Sequence, residues 1–258
     1  MTKTTIYAPA GARLGAALIL STALAACGGG AGGDGGRVPN LSGSVTITGT
    51  AATVIAGSAS NAIGGAEVLA TCARGAASTM TNADGSFSVT VANPGAAPCV
   101  LQLFRADNSS LRSIATGPGN FNITPVTELL VAYISTQVTT PAVPVTPGTV
   151  NSAVTLSTNA AFAKLASTPA LLSNSIARVG EIVKTFPAPA TPGLVVPSDW
   201  LTGQLVAKTP SNPGNAQNAF LEALRARNTI TATGTVNGNA TSEAARDAAL
   251  PVNKVAAP

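Results

Sequence analysis

The period of the apolar pattern changes near Thr124, and this change constrains the fold more than any other feature. Between residues 41 and 123, short runs rich in Val, Ile and Thr are broken by Gly, Asn and Pro. The run at 86–91 alternates hydroxyl and apolar side chains strictly, which is typical of a strand with one buried face. Beyond Thr124, apolar residues recur at helical spacing. The sequence therefore predicts an α+β chain, with an antiparallel β-sandwich followed by a small helical region.

The helical region has a distinct start signal. Thr124 is a good N-cap, Pro125 suits the first helical position, and Glu128 adds negative charge to the first turn. The apolar residues that follow form one stripe at helical spacing: Val126, Leu129, Leu130, Tyr133 and Ile134. We therefore place the sandwich at 41–123 and the helical region at 124–228.

Proline-rich spacers at 141–147 and 187–197 interrupt the helical patterns, which resume near Asn159, after Thr168-Pro169 and over 215–228. From Thr229 onward, Thr, Gly, Asn and Ala dominate, and little apolar surface remains to be buried. We therefore predict a loosely ordered tail at 229–258, with a short helix around 242–250.

The N-terminus has the parts of a secretory signal peptide over residues 1–26. Lys3 and Arg13 are basic, and the apolar core at 14–24 is about 11 residues long, shorter than the roughly 20 that span a bilayer as a helix. Small residues then precede a cysteine. An ordinary signal peptide with an incidental Cys27 is the alternative to a processing site at that cysteine.

Residues 24–27, Leu-Ala-Ala-Cys, resemble the lipobox of bacterial lipoproteins. The resemblance implies cleavage before Cys27, a diacylglyceryl group on its sulfur and an acyl chain such as palmitate on its new amino group. The Gly-rich stretch that follows suits a flexible tether over 27–40. Because Gly28 stands where an Asp often marks inner-membrane retention in such lipoproteins, the resemblance implies an outer-membrane location.

Two cysteines remain once Cys27 is assigned to the lipid. In an exported protein the even pair Cys72 and Cys99 indicates a disulfide, with two free buried thiols as the alternative. Cys99, Leu101 and Leu103 share one face of a predicted strand, so Cys99 should point into the core toward Cys72. Asp84-Gly85 predicts a type I′ hairpin, in which both central residues have positive φ.

Two segments carry family resemblances. Gly64-Gly65-Ala66-Glu67-Val68 and residues 81–89 (TNADGSFSV) resemble the carboxypeptidase regulatory-like domain, a transthyretin-like sandwich, over roughly 41–115. The resemblance implies that the sandwich is of transthyretin-like or immunoglobulin-like type. It also implies an accessory, binding or structural role and brings no catalytic residues. Residues 122–129 (NITPVTEL) resemble a segment of proteobacterial lipoproteins in which a cysteine-paired sandwich continues into helices, and this resemblance names no activity.

The residue types present disfavour several kinds of chemistry. The chain has no histidine, which removes the usual general base and the commonest metal ligand. No Lys lies three residues after a Ser, and no Gly-x-Ser-x-Gly motif occurs. Asn82-x-Asp84-Gly85 resembles a fragment of a calcium loop, but a plain turn is the stronger interpretation. We predict no catalytic residues, no metal ligands and no cofactor, and Trp200 is interpreted as a core anchor or a ligand-stacking aromatic.

These observations together predict a lipid-anchored, outer-membrane protein that is not an enzyme. We expect it to act as a binding or accessory module, attached to the membrane through the lipid on Cys27, with an envelope protein or polysaccharide as its partner. A structural surface protein without a specific ligand is the first alternative, and a carbohydrate-active hydrolase using scattered Asp and Glu is the second. The formal net charge of +4 includes Lys3 and Arg13 of the signal, and no basic cluster indicates nucleic-acid binding.

Overall fold

The computed structural model describes residues 43–92, 96–138, 155–187 and 194–256. The predicted signal peptide, the predicted lipobox with Cys27 and the predicted tether lie outside the described residues. The spacer at 141–147 and most of the spacer at 187–197 lie outside them as well. The described residues belong to one compact unit.

Seven strands form two sheets. In chain order they are β1 Ser44–Thr50, β2 Glu67–Cys72, β3 Gly75–Met80, β4 Ser86–Ala92, β5 Cys99–Phe104, β6 Ser110–Ala115 and β7 Gly119–Asn120. The strand order is β4-β1-β7 in one sheet and β3-β2-β5-β6 in the other, and all neighbours are antiparallel except β1 and β7. Two mainly antiparallel sheets together with helices confirm the α+β class.

Five helices lie wholly within the described ranges after the strands. They are α1 Pro125–Val138, α2 Ala160–Ser167, α3 Pro169–Thr185, α4 Ala216–Ala226 and α5 Gly238–Ala248, and a single 3-10 turn spans Pro251–Asn253. Asn159, Asn215 and Asn237 cap α2, α4 and α5 with their side-chain oxygens. Thr168 precedes Pro169 at the start of α3 as predicted, but its side chain makes no capping hydrogen bond.

The burial pattern of the strands follows from what covers each face. In β4 the residues Phe87, Val89 and Val91 are buried and Ser88 and Thr90 are exposed, which confirms the predicted alternation. The first five residues of β5 and all of β6 are buried on both faces. The sandwich interior covers one face, and α1 packs against β6 on the other.

The cysteine pair forms the predicted disulfide. Cys72 and Cys99 lie directly opposite each other on the adjacent strands β2 and β5, with their Cα atoms 4.0 Å apart. Both are buried, and Leu101 and Leu103 share the buried face with Cys99. The bond therefore links two neighbouring strands of one sheet and closes a loop whose ends are 27 positions apart.

The turn at Asp84-Gly85 differs from the predicted type I′ hairpin. Gly85 has a φ of 81°, but Asp84 is not among the residues with positive φ. The flanking strands belong to different sheets, since β3 pairs with β2 and β4 with β1. The Asp84 carboxylate accepts hydrogen bonds from the Ser86 N–H at 3.0 Å and hydroxyl at 2.7 Å, which favours an Asx-type turn. The prediction of a type I′ hairpin is therefore wrong, because the strands on either side of the turn pair in different sheets.

A buried ion pair joins α1 to the edge strand β6. Arg112 is 1% exposed, and its Nε donates to both carboxylate oxygens of Glu128 at 3.0 and 3.2 Å. The backbone N–H of Arg112 donates to Glu128 Oε2 at 2.7 Å, and its carbonyl accepts from the Thr127 hydroxyl at 2.8 Å. The side chains of Thr127 and Glu128 thus provide hydrogen-bond partners for the backbone carbonyl and N–H of Arg112. These two backbone groups lie on the side of β6 that has no neighbouring strand.

The predicted start of α1 is confirmed, and it contains more hydrogen bonds than the pattern indicated. The Thr124 hydroxyl accepts from Thr127 N–H at 3.3 Å, and the Thr127 hydroxyl accepts from Thr124 N–H at 2.8 Å. This reciprocal arrangement is a capping box in which Thr replaces the usual Glu or Gln. Two residues earlier, the fully buried Asn122 accepts from Thr50 N–H at 3.3 Å and donates to the Gly203 carbonyl at 2.8 Å.

The tail after Thr229 differs from the predicted loose order. The helix α5 begins at Gly238 and ends at Ala248, earlier at both ends than the predicted helix at 242–250. Its Ala240, Ala244 and Ala248 are fully buried, and the helix packs against α1. Small side chains at i, i+4 and i+8 let the two helices approach closely, so the tail is ordered without large apolar residues.

None of the described helices is long and apolar enough to cross a bilayer.

Candidate functional site

A cleft of about 550 Å³ opens between two loops at one end of the sandwich. One wall is the connection from β1 to β2, residues 53–66, together with Glu67, and the other is the end of β5 with the turn at 105–107. Its size lies in the range of small-molecule sites. The polar side chains that line it are Thr53, Ser58, Ser60, Asn61, Glu67, Arg105 and Asp107.

Arg105 is fixed inside the turn between β5 and β6. One terminal guanidinium nitrogen, Nη1, donates to the Ser109 hydroxyl at 3.0 Å, and the other, Nη2, donates to the Thr233 carbonyl at 2.8 Å. Nη2 also lies 3.2 Å from Asp107 Oδ2, and the Arg105 side chain is only 8% exposed. The guanidinium thus joins the sandwich turn to the segment before α5 and is held by neutral and charged partners at once.

Asp107 remains a carboxylate at neutral pH. The hydrogen bond from the Ser109 hydroxyl is the main cause that lowers its pKa. Burial opposes this effect, and the Ser109 backbone N–H and the Arg105 charge add smaller contributions that lower the pKa further. Asp84 and Ser86 repeat this arrangement in the other turn, where the Ser86 hydroxyl lowers the pKa of Asp84. The repeated Asp-x-Ser pattern is a sequence signal that could have indicated both turns.

The helical part of the chain holds the other wall of the cleft in place. Asn61 is 3% exposed, and its amide nitrogen donates to Asn218 Oδ1 at 2.9 Å and to Glu222 Oε1 at 3.1 Å, both on α4. Its backbone N–H donates to the Lys208 carbonyl at 2.8 Å. The shape of the cleft therefore depends on both the sandwich and the helices.

Gly64 and Gly65 line the cleft and belong to the segment 64–68 that resembles the carboxypeptidase regulatory-like domain. Each occupies a position that disfavours a larger residue. Gly65 has a φ of 68°, which disfavours other residues. A Cβ on Gly64 would lie 2.9 Å from Ala83 Cα in the turn before β4. A Cβ on Gly85 would lie 2.3 Å from the Ala51 carbonyl oxygen, so the second family-like segment also needs its glycine.

Two smaller clefts lie beside the helices. One of about 260 Å³ lies over the Arg112–Glu128 pair, and one of about 270 Å³ is lined by Tyr133, Arg178 and Lys254 among others. The Tyr133 hydroxyl donates to Asp247 Oδ2 at 3.1 Å. Burial, followed by the nearby Asp247 charge, raises the pKa of Tyr133. The phenol is therefore neutral and held in place rather than poised for proton transfer.

The disulfide cysteines, Trp200 and Asp84, which the sequence analysis singled out, do not line the 550 Å³ cleft. The Cys72–Cys99 bond lies at the end of β2 opposite to Glu67. Trp200 is 4% exposed, which favours the core-anchor interpretation over ligand stacking. The Asp84 carboxylate is engaged by Ser86, and among the described residues no group of three or more potential ligands of the His, Cys, Asp or Glu type could hold a metal.

The sequence pattern did not identify Asn61, Arg105 or Asp107 as site residues, and it indicated Glu67 only as a residue of the predicted strand that begins the segment resembling the carboxypeptidase regulatory-like domain. Their partners lie far along the chain, so no local pattern placed them together. Comparison of the chain with protein-family models, with curated proteins and with solved structures returns no match.

Proposed function

We propose that the folded part of this chain is a non-enzymatic binding or accessory module that takes its ligand in the cleft between residues 53–67 and 104–107. The observation that carries the proposal is that Asn61 and Arg105, two polar side chains of the cleft, are already held by hydrogen bonds to α4, to the sandwich turn and to the segment before α5. A site that is fixed before binding loses little conformational freedom when the ligand arrives. Its loop location on a rigid scaffold is also typical of binding sites.

We further propose that the sandwich is of the carboxypeptidase regulatory-like, transthyretin-like type. The support is that Gly64, Gly65 and Gly85 of the family-like segments each occupy a position where a side chain would clash or strain the backbone. The two-sheet arrangement agrees with such a fold. An accessory role in the envelope is what this type of domain implies.

The proposed location is the outer membrane, with the module anchored through lipid on Cys27. The support is the lipobox-like sequence at 24–27 and the Gly-rich stretch after it. One acyl chain holds a protein only marginally, whereas two or more anchor it stably. Cys27→Ser should leave unprocessed or soluble protein, whereas unchanged palmitate labelling and membrane fractionation in this variant would refute the anchor.

Capture from detergent-solubilised envelopes tests the binding role. Ala106 is exposed and lines the cleft, so Ala106→Trp should fill the cleft and remove the captured envelope component. Ala76 is exposed on β3 and does not line the cleft, so Ala76→Trp is the matched control and should retain it. Capture that both variants retain, or both lose, would show that the cleft is not the binding site.

A further inference from the structure

We infer that the cleft between residues 53–67 and 104–107 selects a small polar ligand that carries a positively charged ammonium group. The inference rests on the proposed function, because it assumes that this cleft is the binding site, and it adds the chemical class of the ligand. The argument for this class is that one charged side chain lining the cleft has no oppositely charged partner among the described residues.

Glu67 is the uncompensated charge of the cleft. It is the first residue of β2, it is exposed, and it lies directly opposite Phe104 on β5. Within the described ranges its carboxylate forms neither an ion pair nor a hydrogen bond. Asp107 and Arg105 balance each other at 3.2 Å, so Glu67 gives the cleft a net charge of −1.

The charged side chains beside the cleft do not offset Glu67. Lys208, whose carbonyl accepts from Asn61, places its Nζ 3.6 Å from Glu222 Oε1, and these two charges cancel. An exposed carboxylate without a cation favours a positive ligand group and disfavours a negative one.

An anionic ligand would find no available cation in this cleft. Both terminal nitrogens of Arg105 are engaged by Ser109, Thr233 and Asp107, and the side chain is 8% exposed. These contacts use three of the five N–H donors of the guanidinium, and its burial leaves little of the group open to an anion. Phosphate and carboxylate ligands are therefore disfavoured by both charge and geometry.

The remaining lining suits a ligand with polar groups and a modest apolar face. Ser58, Ser60 and Asn61 lie along one wall, and Ile63 and Phe104 supply apolar contact. The Ser58 hydroxyl donates to the Ser60 carbonyl at 2.7 Å and accepts from the Ser60 N–H at 3.2 Å, so one lone pair of its oxygen remains to accept from a ligand. An amino sugar and an amino-acid amine both offer an ammonium group with hydrogen-bonding neighbours.

Saturation-transfer NMR on the full, lipidated chain in detergent micelles tests the inference with ligands that differ in charge on the same ring. The probes are glucosamine, which is cationic, N-acetylglucosamine, which is neutral, and glucuronate, which is anionic. Lysinamide, a cation without a sugar ring, distinguishes the two sources of the ammonium group. We expect glucosamine or lysinamide to bind more tightly than both other probes, with an affinity that falls as salt is added.

Glu67→Gln removes the charge and keeps the size of the side chain. It should weaken binding of the cationic probe about two- to fivefold, as expected for one exposed charge pair, and it should abolish the salt dependence. Glu181 is 63% exposed on α3 and does not line the cleft, so Glu181→Gln is the matched control and should leave the affinity unchanged.

The outcomes separate the inference from the proposed function. Equal binding of glucosamine and N-acetylglucosamine that Ala106→Trp abolishes would retain the cleft as a binding site and overturn the ammonium preference. An affinity for the cation that Glu67→Gln does not change would overturn it as well. If no probe binds while Ala106→Trp still removes the envelope component, the ammonium inference fails alone. If that variant also retains the component, the cleft itself is not the site.

Discussion

Glu128 is expected to be the side chain whose loss most weakens the attachment of α1 to the sandwich. Glu128→Ala removes the acceptor of the Arg112 guanidinium and of the Arg112 backbone N–H in one step. Arg112 is 1% exposed, so its charge would stay buried without this partner. Removing one member of a buried pair costs about 3–5 kcal/mol. A domain of this kind has about 5–15 kcal/mol of unfolding free energy in total, so the effect is large.

A double variant separates the buried charge from the backbone hydrogen bond. Arg112→Met with Glu128→Leu replaces the pair by apolar side chains of similar size, and such replacements are often neutral. The backbone N–H of Arg112 still loses its acceptor, which costs about 1–3 kcal/mol. The double variant should therefore be less stable than the parent chain but more stable than Glu128→Ala alone.

Urea unfolding followed by circular dichroism measures these differences on chains that carry Cys27→Ser, so that no lipid interferes. Glu181→Ala is the control, because Glu181 pairs with Lys184 at 2.7 Å on an exposed surface and such pairs contribute at most about 1 kcal/mol. An unfolding free energy of Glu128→Ala within 1 kcal/mol of the control would refute the role of the pair. A double variant no more stable than Glu128→Ala would refute the unpaired charge as the cause.

Three further outcomes are expected. Cys72→Ala with Cys99→Ala should lower the unfolding free energy by about 2–4 kcal/mol, because the bond closes a 27-residue separation; thiols that alkylate freely in the parent chain without reductant would contradict the bond. A fragment of residues 37–123 should give a β-rich circular dichroism spectrum, and extending it to 138 should raise its stability by supplying Glu128; a mainly helical spectrum of the shorter fragment would contradict the boundary. The lowered pKa values of Asp84 and Asp107 contribute stability that is present above pH 4 and is lost as the pH falls through the folded-state pKa values. The double variant Asp84→Asn with Asp107→Asn should therefore lose less unfolding free energy than the parent chain between pH 6 and pH 2.

Local patterns predicted the elements whose stability is local. The alternation in β4 and the start of α1 were both recognisable because side-chain periodicity and capping depend on residues within a few positions. The turn at Asp84-Gly85 was misassigned because the same dipeptide serves a hairpin within one sheet and a connection between two sheets. The pairing of β3 and β4 with different partners distinguishes the two cases here.

Long-range partners account for what the sequence did not predict. A charged residue such as Arg112 is seldom fully buried, and its partner Glu128 lies on a different element, so nothing local marked it as a core position. In the tail, Ala240, Ala244 and Ala248 form the packing surface of α5. The prediction of a loose tail considered only large apolar side chains and therefore missed this surface. The cleft joins residues 53–67 and 104–107, and Asn218 and Thr233 fix its walls, so its assembly depends on the whole fold.

The segment from Asn122 to Leu129 is best understood as a structural motif rather than a ligand site. Asn122 ties β1 to the Gly203 carbonyl, Thr124 and Thr127 cap each other, and Glu128 pairs with Arg112. Each polar side chain in it is thus committed to a buried contact that orients α1 on the sandwich. Chains that share this segment should therefore share the joint between sandwich and helix while differing in ligand. Under the proposed function, ligand specificity belongs instead to the loops around Glu67 and Asp107, which line the cleft and carry exposed side chains.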